Sequence, residues 1–243
     1  MNNDIRTNIE SILNRIACAC DRAGRSQNEV QLLLATKTVS EARILMALNA
    51  GCTLIAENRV QELKEKHHAL SAIAHTRHFI GHLQTNKVKE LLKYDVACLQ
   101  SLDRLELAQK LDERLATAGR TMDVLIQVNT SNEKSKFGVQ PKRALELVND
   151  VAQLKQLKIR GLMTIGVFSS DAHQVRQCFR LLKSLQETIR QAGIQGVVMK
   201  ELSMGMSGDL EIAVEEGATI VRVGTAVFGK RTTEDSYYWN ENK

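Results

Sequence analysis

VLIQVN over Val124–Asn129, PKRALELVNDVAQLKQL over Pro141–Leu157 and IRGLMT over Ile159–Thr164 decide the fold. The two flanking stretches are short, apolar and β-branched. Strands buried on both faces read as such near-continuous apolar runs. The stretch between them is longer and amphipathic, and Pro141 suits a first helical turn, where a missing N–H costs nothing. Strand, helix and strand in this order make a βαβ unit with parallel strands.

Outward in both directions the same alternation repeats. Further strands are expected at Val30–Thr36, Thr53–Ala56, His78–Gly81, Val96–Gln100, Val197–Leu202 and Thr219–Val223. Helices are expected at Glu41–Asn49, Val60–Ser71, Leu83–Lys93, Asp103–Ala118, Ala172–Ala192 and Gly208–Glu216. An extra N-terminal helix precedes them: Ile5, Ile9, Ile12, Leu13 and Ile16 recur at helical spacing, and Gly24 stops it. Eight strand candidates in a chain of 243 residues fit a single α/β domain, a (β/α)8 barrel spanning 1–243. A doubly wound open sheet is the competing arrangement. No Ser-, Gly- or Pro-rich stretch divides the chain.

Composition narrows the function classes. Apolar residues make up 43%, charged residues 25%, and the net charge of +5 is spread along the chain. Without a basic cluster, nucleic-acid binding is not indicated. The start, MNNDIRTNIE, is polar and does not read as a secretory signal. No apolar run approaches the ~18 residues a membrane span needs. The five cysteines, Cys18, Cys20, Cys52, Cys98 and Cys178, are odd in number and form no CxxC pair. Together these features point to a cytoplasmic protein with reduced thiols, no metal centre and no membrane association.

In such a barrel the functional groups lie at the C-terminal ends of the strands. Lys37 follows the first expected strand, Glu57-Asn58-Arg59 the second and His82 the third. Ser101, Asn129-Thr130 and Gly166 follow the next three, Ser203-Met204-Gly205-Met206-Ser207-Gly208 the seventh, and Gly224-Thr225 the last. Alternation puts Leu33, Ala35 and Lys37 on one face, so Lys37 reaches the barrel mouth. Beside apolar walls its amine would lose hydration and become the neutral nucleophile that forms a Schiff base with a carbonyl. A solvated strand-end lysine is the plainer reading. The seventh and eighth loops, with their glycines, hydroxyls and following helices, suit a phosphate; ordinary turn capping is the alternative. Arg222, inside the run Ile220-Val221-Arg222-Val223, needs a partner if buried. That partner is either an acidic side chain or a ligand acceptor. His67-His68, after Lys64-Glu65-Lys66, reads as a solvated helix face. Met204 and Met206 read as packing residues, and Tyr237-Tyr238-Trp239 as a terminal segment packed on the barrel.

A Schiff-base lysine together with a double-loop phosphate site indicates pyridoxal 5′-phosphate (PLP). At these residues the sequence resembles the pyridoxal phosphate homeostasis protein family, from about Ile5 to Gly229. The matching stretches are Leu34–Lys37, Glu57–Glu62, His78–Lys87, Lys136–Gly138, Arg160–Met163, Leu202–Ser207 and Arg222–Thr225. Two positions depart from the family pattern: Ala56 stands where Gly is usual, and Arg77 where an aromatic is common. The resemblance implies a barrel related to the N-terminal domain of alanine racemase, PLP fold type III. It implies PLP held as an internal aldimine on Lys37, phosphate ligands from Ser203, Gly224 and Thr225, Arg222 facing the pyridine nitrogen, and Asn58 and His82 near the ring. Lys87 and Lys136 are rival amines and a conceivable second reversible site.

A guanidinium only donates, so a pyridine nitrogen facing Arg222 stays unprotonated and the ring is a weak electron sink. The racemase also needs a tyrosine on the opposite face, which Tyr94, Tyr237 and Tyr238 match in no motif. The expectation is therefore a non-enzymatic PLP carrier that passes the cofactor to apo-enzymes, and the resemblance implies a monomer. A weak amino-acid racemase and a cofactor-free lysine aldolase acting on a phosphorylated sugar are the alternatives.

Overall fold

The computed structural model describes residues 3–229. The strands are β1 Gln31–Ala35, β2 Leu54–Glu57, β3 Thr76–Phe79, β4 Val96–Leu102, β5 Met122–Gln127, β6 Leu157–Met163, β7 Glu201–Ser203 and β8 Ile220–Val223. They form a closed barrel in sequence order. Every pairing is parallel, and β8 closes on β1 through Gln31 beside Ile220 to Leu34 beside Val223. The open-sheet alternative is thereby excluded. The seam is thinnest between β7 and β8, which pair through Ser203 and Ile220.

The helices are α1 Asn3–Arg22, α2 Glu41–Asn49, α3 Val60–Leu70, α4 Val88–Leu91, α5 Leu105–Thr117, α6 Ala144–Ala152, α7 Ala172–Gln191, α8 Leu210–Glu215 and α9 Thr225–Phe228. The helix expected over Leu83–Lys93 shrinks to a 3₁₀ turn at Thr85–Lys87 and the single turn of α4. Pro141 opens a 3₁₀ turn that leads into α6, and α6 ends well short of Leu157, which begins β6. α1 packs on α2, α8 and α9. Ile5, Ile9, Ile12 and Ile16 are buried there, whereas Leu13 is 49% exposed and lies off the stripe. Gly24 follows α1 with φ +63°, in the left-handed region that ends helices.

Two layers of core result. Leu34, Ile55, Phe79, Leu99, Val124, Ile126 and Leu162 belong to the large cluster shared with the helices. The barrel interior holds two separate apolar groups, one of Leu33, Leu54, Ala56 and Ile220, the other of Cys98, Leu125 and Met163. Leu33 inside and Leu34 outside is the alternation that carries Ala35 and Lys37 to the mouth.

Lys64, Glu65 and His68 are exposed, as a solvated face requires, but Lys66 and His67 depart from that reading. Lys66 is buried, and His67 turns inward to Arg77 and Tyr94. Arg77, in the family's aromatic position, is itself buried, its guanidinium held by His75, His67 and the Tyr94 carbonyl. Tyr237-Tyr238-Trp239 lies outside the described residues. Among the described residues no helix is long and apolar enough to cross a membrane, and the five cysteines are unpaired.

Candidate cofactor-binding site

At the C-terminal end of the strands a cleft of about 990 Å³ opens to solvent. Ala35 and Lys37 from β1 and its loop line it, with Arg222 from β8, Gly224 and Thr225 at the start of α9, and Ser207, Gly208 and Asp209 from the loop after β7. Val167 and Phe168 from the β6 loop form its mouth. Lys37 is half-buried. Gly224 lets this wall close: a Cβ there would come within 3.1 Å of the Ala35 carbonyl oxygen. The Thr225 hydroxyl lies 3.3 Å from the Ser207 hydroxyl, and the Ala226 amide reaches the same Ser207 oxygen at 3.4 Å. Two hydroxyls and the turn backbone thus gather at one end of the cleft.

Arg222 is 5% exposed. Its Nη1 donates to Ser203 Oγ and its Nη2 to the Thr164 carbonyl, both at 2.8 Å. Both acceptors are neutral, and no carboxylate among the described residues reaches ion-pair distance. Of the two open readings, the acidic partner is therefore absent. Burial pulls the Arg222 pKa down to about 10, and the nearby Asp209 carboxylate opposes this, so the guanidinium stays charged at neutral pH. It carries more N–H donors than these two bonds use.

The chain of bonds continues inward. Ser203 Oγ donates to Gln100 Oε1 at 2.6 Å, and Gln100 Nε2 meets His78 Nδ1 at 2.8 Å. The guanidinium only donates, so Ser203 accepts from Arg222; Gln100 Oε1 only accepts, so Ser203 donates to it; and Gln100 Nε2 only donates, so it donates to His78. His78 Nδ1 must then accept, so the ring is neutral. Burial agrees, pulling its pKa down to about 4. His78 sits in register between Ala56 on β2 and Cys98 on β4, inside the barrel.

The expected site residues do not all meet. Lys37, Arg222, Gly224 and Thr225 share the cleft. Ser203 does not line it: it is fully buried, and its hydroxyl is committed to Arg222 and Gln100. In this structure Ser203 supports the Arg222 guanidinium, and Ser207 is the serine that lines the cleft. Asn58 and His82 line a second cleft with Arg59, Phe79, Gln84 and Lys87. His82 stacks on Phe137 at 3.9 Å and lies 3.5 Å from Asp103. The loops carrying Asn58 and His82 touch at Gly81, where a Cβ would fall 1.9 Å from the Asn58 carbonyl oxygen. Asn58 Oδ1 is buried without a hydrogen-bond partner.

Of the rival amines, Lys87 is half exposed beside Glu90. Lys136 donates to Glu133 at 2.6 Å and to the Gly166 carbonyl at 2.8 Å, 4.5 Å above the Phe168 ring, tying the β5 loop to the cleft mouth. Sequence reasoning missed Gln100, His78, Asp209 and Phe168 as parts of the site. Only the inward alternation of Cys98 and Gln100 could have pointed to the first of these.

A barrel with a lysine, a buried arginine and two converging hydroxyl-bearing turns at its C-terminal mouth is a phosphate-cofactor barrel in layout. The family described as alanine racemase, N-terminal domain, matches residues 8–232. The pyridoxal phosphate homeostasis protein of Aquifex aeolicus is 44% identical over 92% of this chain and 96% of its own length. That of Escherichia coli is 36% identical over 94% and 97%. PipY of Synechococcus elongatus, solved with PLP bound, superposes with a TM-score of 0.79 at 32% identity, covering 90% of this chain and 100% of PipY. Alanine racemase of Clostridium difficile shares the fold with a TM-score of 0.72 at 16% identity, covering 96% of this chain but 57% of the racemase. The chain belongs to the pyridoxal phosphate homeostasis protein family, built on the alanine racemase N-terminal barrel.

Proposed function

We propose that this chain binds PLP in the Lys37 cleft and serves in its homeostasis and carriage. The observation that carries the reading is the convergence of Lys37, Arg222, Ser207, Gly224 and Thr225 on one cleft. PLP brings an aldehyde, a pyridine nitrogen and a phosphate, and the cleft offers an amine, a fixed cation and two hydroxyls. Lys37 provides the amine for a reversible imine. Ser207, Thr225 and the backbone around Gly224 take the phosphate. Arg222 donates to the ring nitrogen, and Ser203 and Thr164 hold its guanidinium in place.

A ring nitrogen facing a group that can only donate remains unprotonated, which weakens the ring as an electron sink. Proton transfer on a second face also needs a positioned acid or base. Tyr94 packs against His67 and does not line the cleft; Tyr237 and Tyr238 lie outside the described residues. These features support a carrier without robust turnover, acting on PLP-dependent apo-enzymes as recipients.

The test is an absorbance titration of the apo-protein with PLP, repeated for Lys37→Ala. The wild type is expected to develop the imine band, and Lys37→Ala to lose it while keeping weaker binding. An unchanged band in Lys37→Ala would refute the assignment. Incubation of the loaded protein with L-alanine, followed by chiral analysis, is expected to show no sustained racemisation.

A further inference from the structure

Lys37 sits between two threonines held by one buried ionic cluster, Thr36 by the Lys66 ammonium and Thr38 by the Glu62 carboxylate. Lys66, on α3, donates from Nζ to the Thr36 carbonyl at 2.8 Å, to Glu57 Oε1 at 2.8 Å and to Glu62 Oε2 at 2.6 Å. An ammonium has as many N–H groups as these acceptors, so its hydrogen bonding is complete. Glu57 Oε1 also lies 2.6 Å from the Thr36 hydroxyl. Glu62 Oε2 also accepts from the Thr38 amide at 2.7 Å. Residues 36 and 38 are thus tied to the same cluster, and residue 37 has no latitude to shift along the chain.

Thr38 adds a second observation. Its φ is +63°, in the left-handed region. For a β-branched residue this is costly and persists only where the surroundings over-determine it. The Glu62 carboxylate on its amide supplies that constraint. None of Glu57, Glu62 and Lys66 lines the cleft, so the cluster does not touch a ligand there. A buried ionic group is also an inefficient stabiliser, since apolar replacements of similar volume often do as well.

We infer that Lys66, Glu57 and Glu62 are positioning residues that fix the backbone at 36–38 and so present the Lys37 amine to the PLP aldehyde. The inference rests on the reading of Lys37 as the imine-forming lysine. In that condensation the amine nitrogen bonds to the aldehyde carbon, and the aldehyde oxygen leaves as water with both amine protons. Such a step is steep in geometry: a displacement of about 1 Å can cost about 100-fold in rate.

The experiment is stopped-flow mixing of apo-protein with PLP for wild type, Lys66→Met, Lys66→Arg and Glu62→Gln. It is paired with equilibrium binding of pyridoxamine 5′-phosphate, which keeps ring and phosphate but cannot form the imine with Lys37. Lys66→Met is expected to slow imine formation by about 10-fold or more, Glu62→Gln to slow it less, and Lys66→Arg to recover part of the loss. Pyridoxamine 5′-phosphate affinity stays close to wild type in all of them. Wild-type rates in Lys66→Met and Glu62→Gln would overturn the inference, as would an equal loss of pyridoxamine 5′-phosphate binding, which signals collapse of the cleft instead. If Lys66→Met does not fold, Glu62→Gln carries the test, because its amide keeps the size of the side chain. The wild-type trace separates the two levels: no imine on Lys37 there refutes the Lys37 reading itself, whereas normal traces in wild type and variants alike refute the clamp alone.

Discussion

Lys66, Arg77 and Arg222 are all buried in this barrel, and the first and last of them are treated in opposite ways. Lys66 is met by two carboxylates, Glu57 and Glu62, and a carbonyl. Arg222 is met by a hydroxyl and a carbonyl, with no carboxylate at ion-pair distance among the described residues. Burial alone would pull Lys66 down, but its two carboxylates more than offset this and leave it raised. For Arg222 burial prevails and the shift is downward. A cation neutralised from within the chain serves the chain. Arg77 also lacks a carboxylate, but it is enclosed by His67, His75 and Tyr94 away from the cleft; Arg222 lines the cleft, so its charge faces whatever enters there. The contrast separates the scaffold that holds Lys37 from the surface offered to a ligand.

The contrast breaks first at Lys66. Lys66→Met leaves Glu57 and Glu62 buried without their cation, and the expected loss of stability is about 3–5 kcal/mol, measured by urea unfolding. Adding Glu57→Gln and Glu62→Gln to the same chain should recover part of that loss. A loss below 1 kcal/mol in the single variant would mean that the carboxylates are not held by Lys66.

The next effect in size belongs to the neutral chain behind Arg222. His78 is drawn down from 6.5 to about 4, chiefly by burial. A folded-state pKa below the unfolded one means that the unfolded chain binds the proton first. The associated stability is complete above about pH 6.5 and is lost as pH falls through 4, by up to about 3 kcal/mol. Unfolding curves collected over that range should show the slope, and His78→Gln should remove most of it. An identical slope in the variant would dissociate His78 from the acid response.

Arg222→Met sharpens the comparison from the ligand's side. It leaves the Ser203 hydroxyl and the Thr164 carbonyl short of a donor, at a cost of about 1–2 kcal/mol, well under that of Lys66→Met. Its larger consequence is expected in the PLP spectrum and in the reactivity of the bound aldehyde toward amino acids. Equal destabilisation at Arg222 and Lys66 would erase the distinction between the two cations. Smallest of all, Gly224→Ala presses a methyl to 3.1 Å from the Ala35 carbonyl. It should cost about 1 kcal/mol while weakening phosphate-dependent binding, as calorimetry with inorganic phosphate would reveal.

The barrel was legible because its signal is local. Alternation along Leu32 to Lys37 places Leu33 inside, Leu34 outside and Lys37 at the mouth, and the structure has that arrangement. The two loops that converge on the cleft beside Lys37 were legible for the same reason, since glycine and hydroxyl residues follow two apolar runs. Polar contacts across the barrel were not. Ser203 and Gln100 are 103 positions apart, and nothing near either residue signals that one accepts from the other. Ser203 therefore read as a loop hydroxyl open to phosphate, although it ends β7 with its side chain buried. Lys66 was misread for a related reason. Flanked by Lys64, Glu65 and two histidines it has a polar neighbourhood in sequence, but helical spacing turns it inward with Leu63 and Leu70.

The central claim is that Lys37 is the residue that bonds to PLP, and reductive trapping tests it most directly. Borohydride treatment of the PLP-loaded protein, followed by proteolysis and mass spectrometry, should place one pyridoxyl group on the peptide containing Lys37. A label confined to Lys87, Lys136 or any other lysine, or no label at all, would contradict the account.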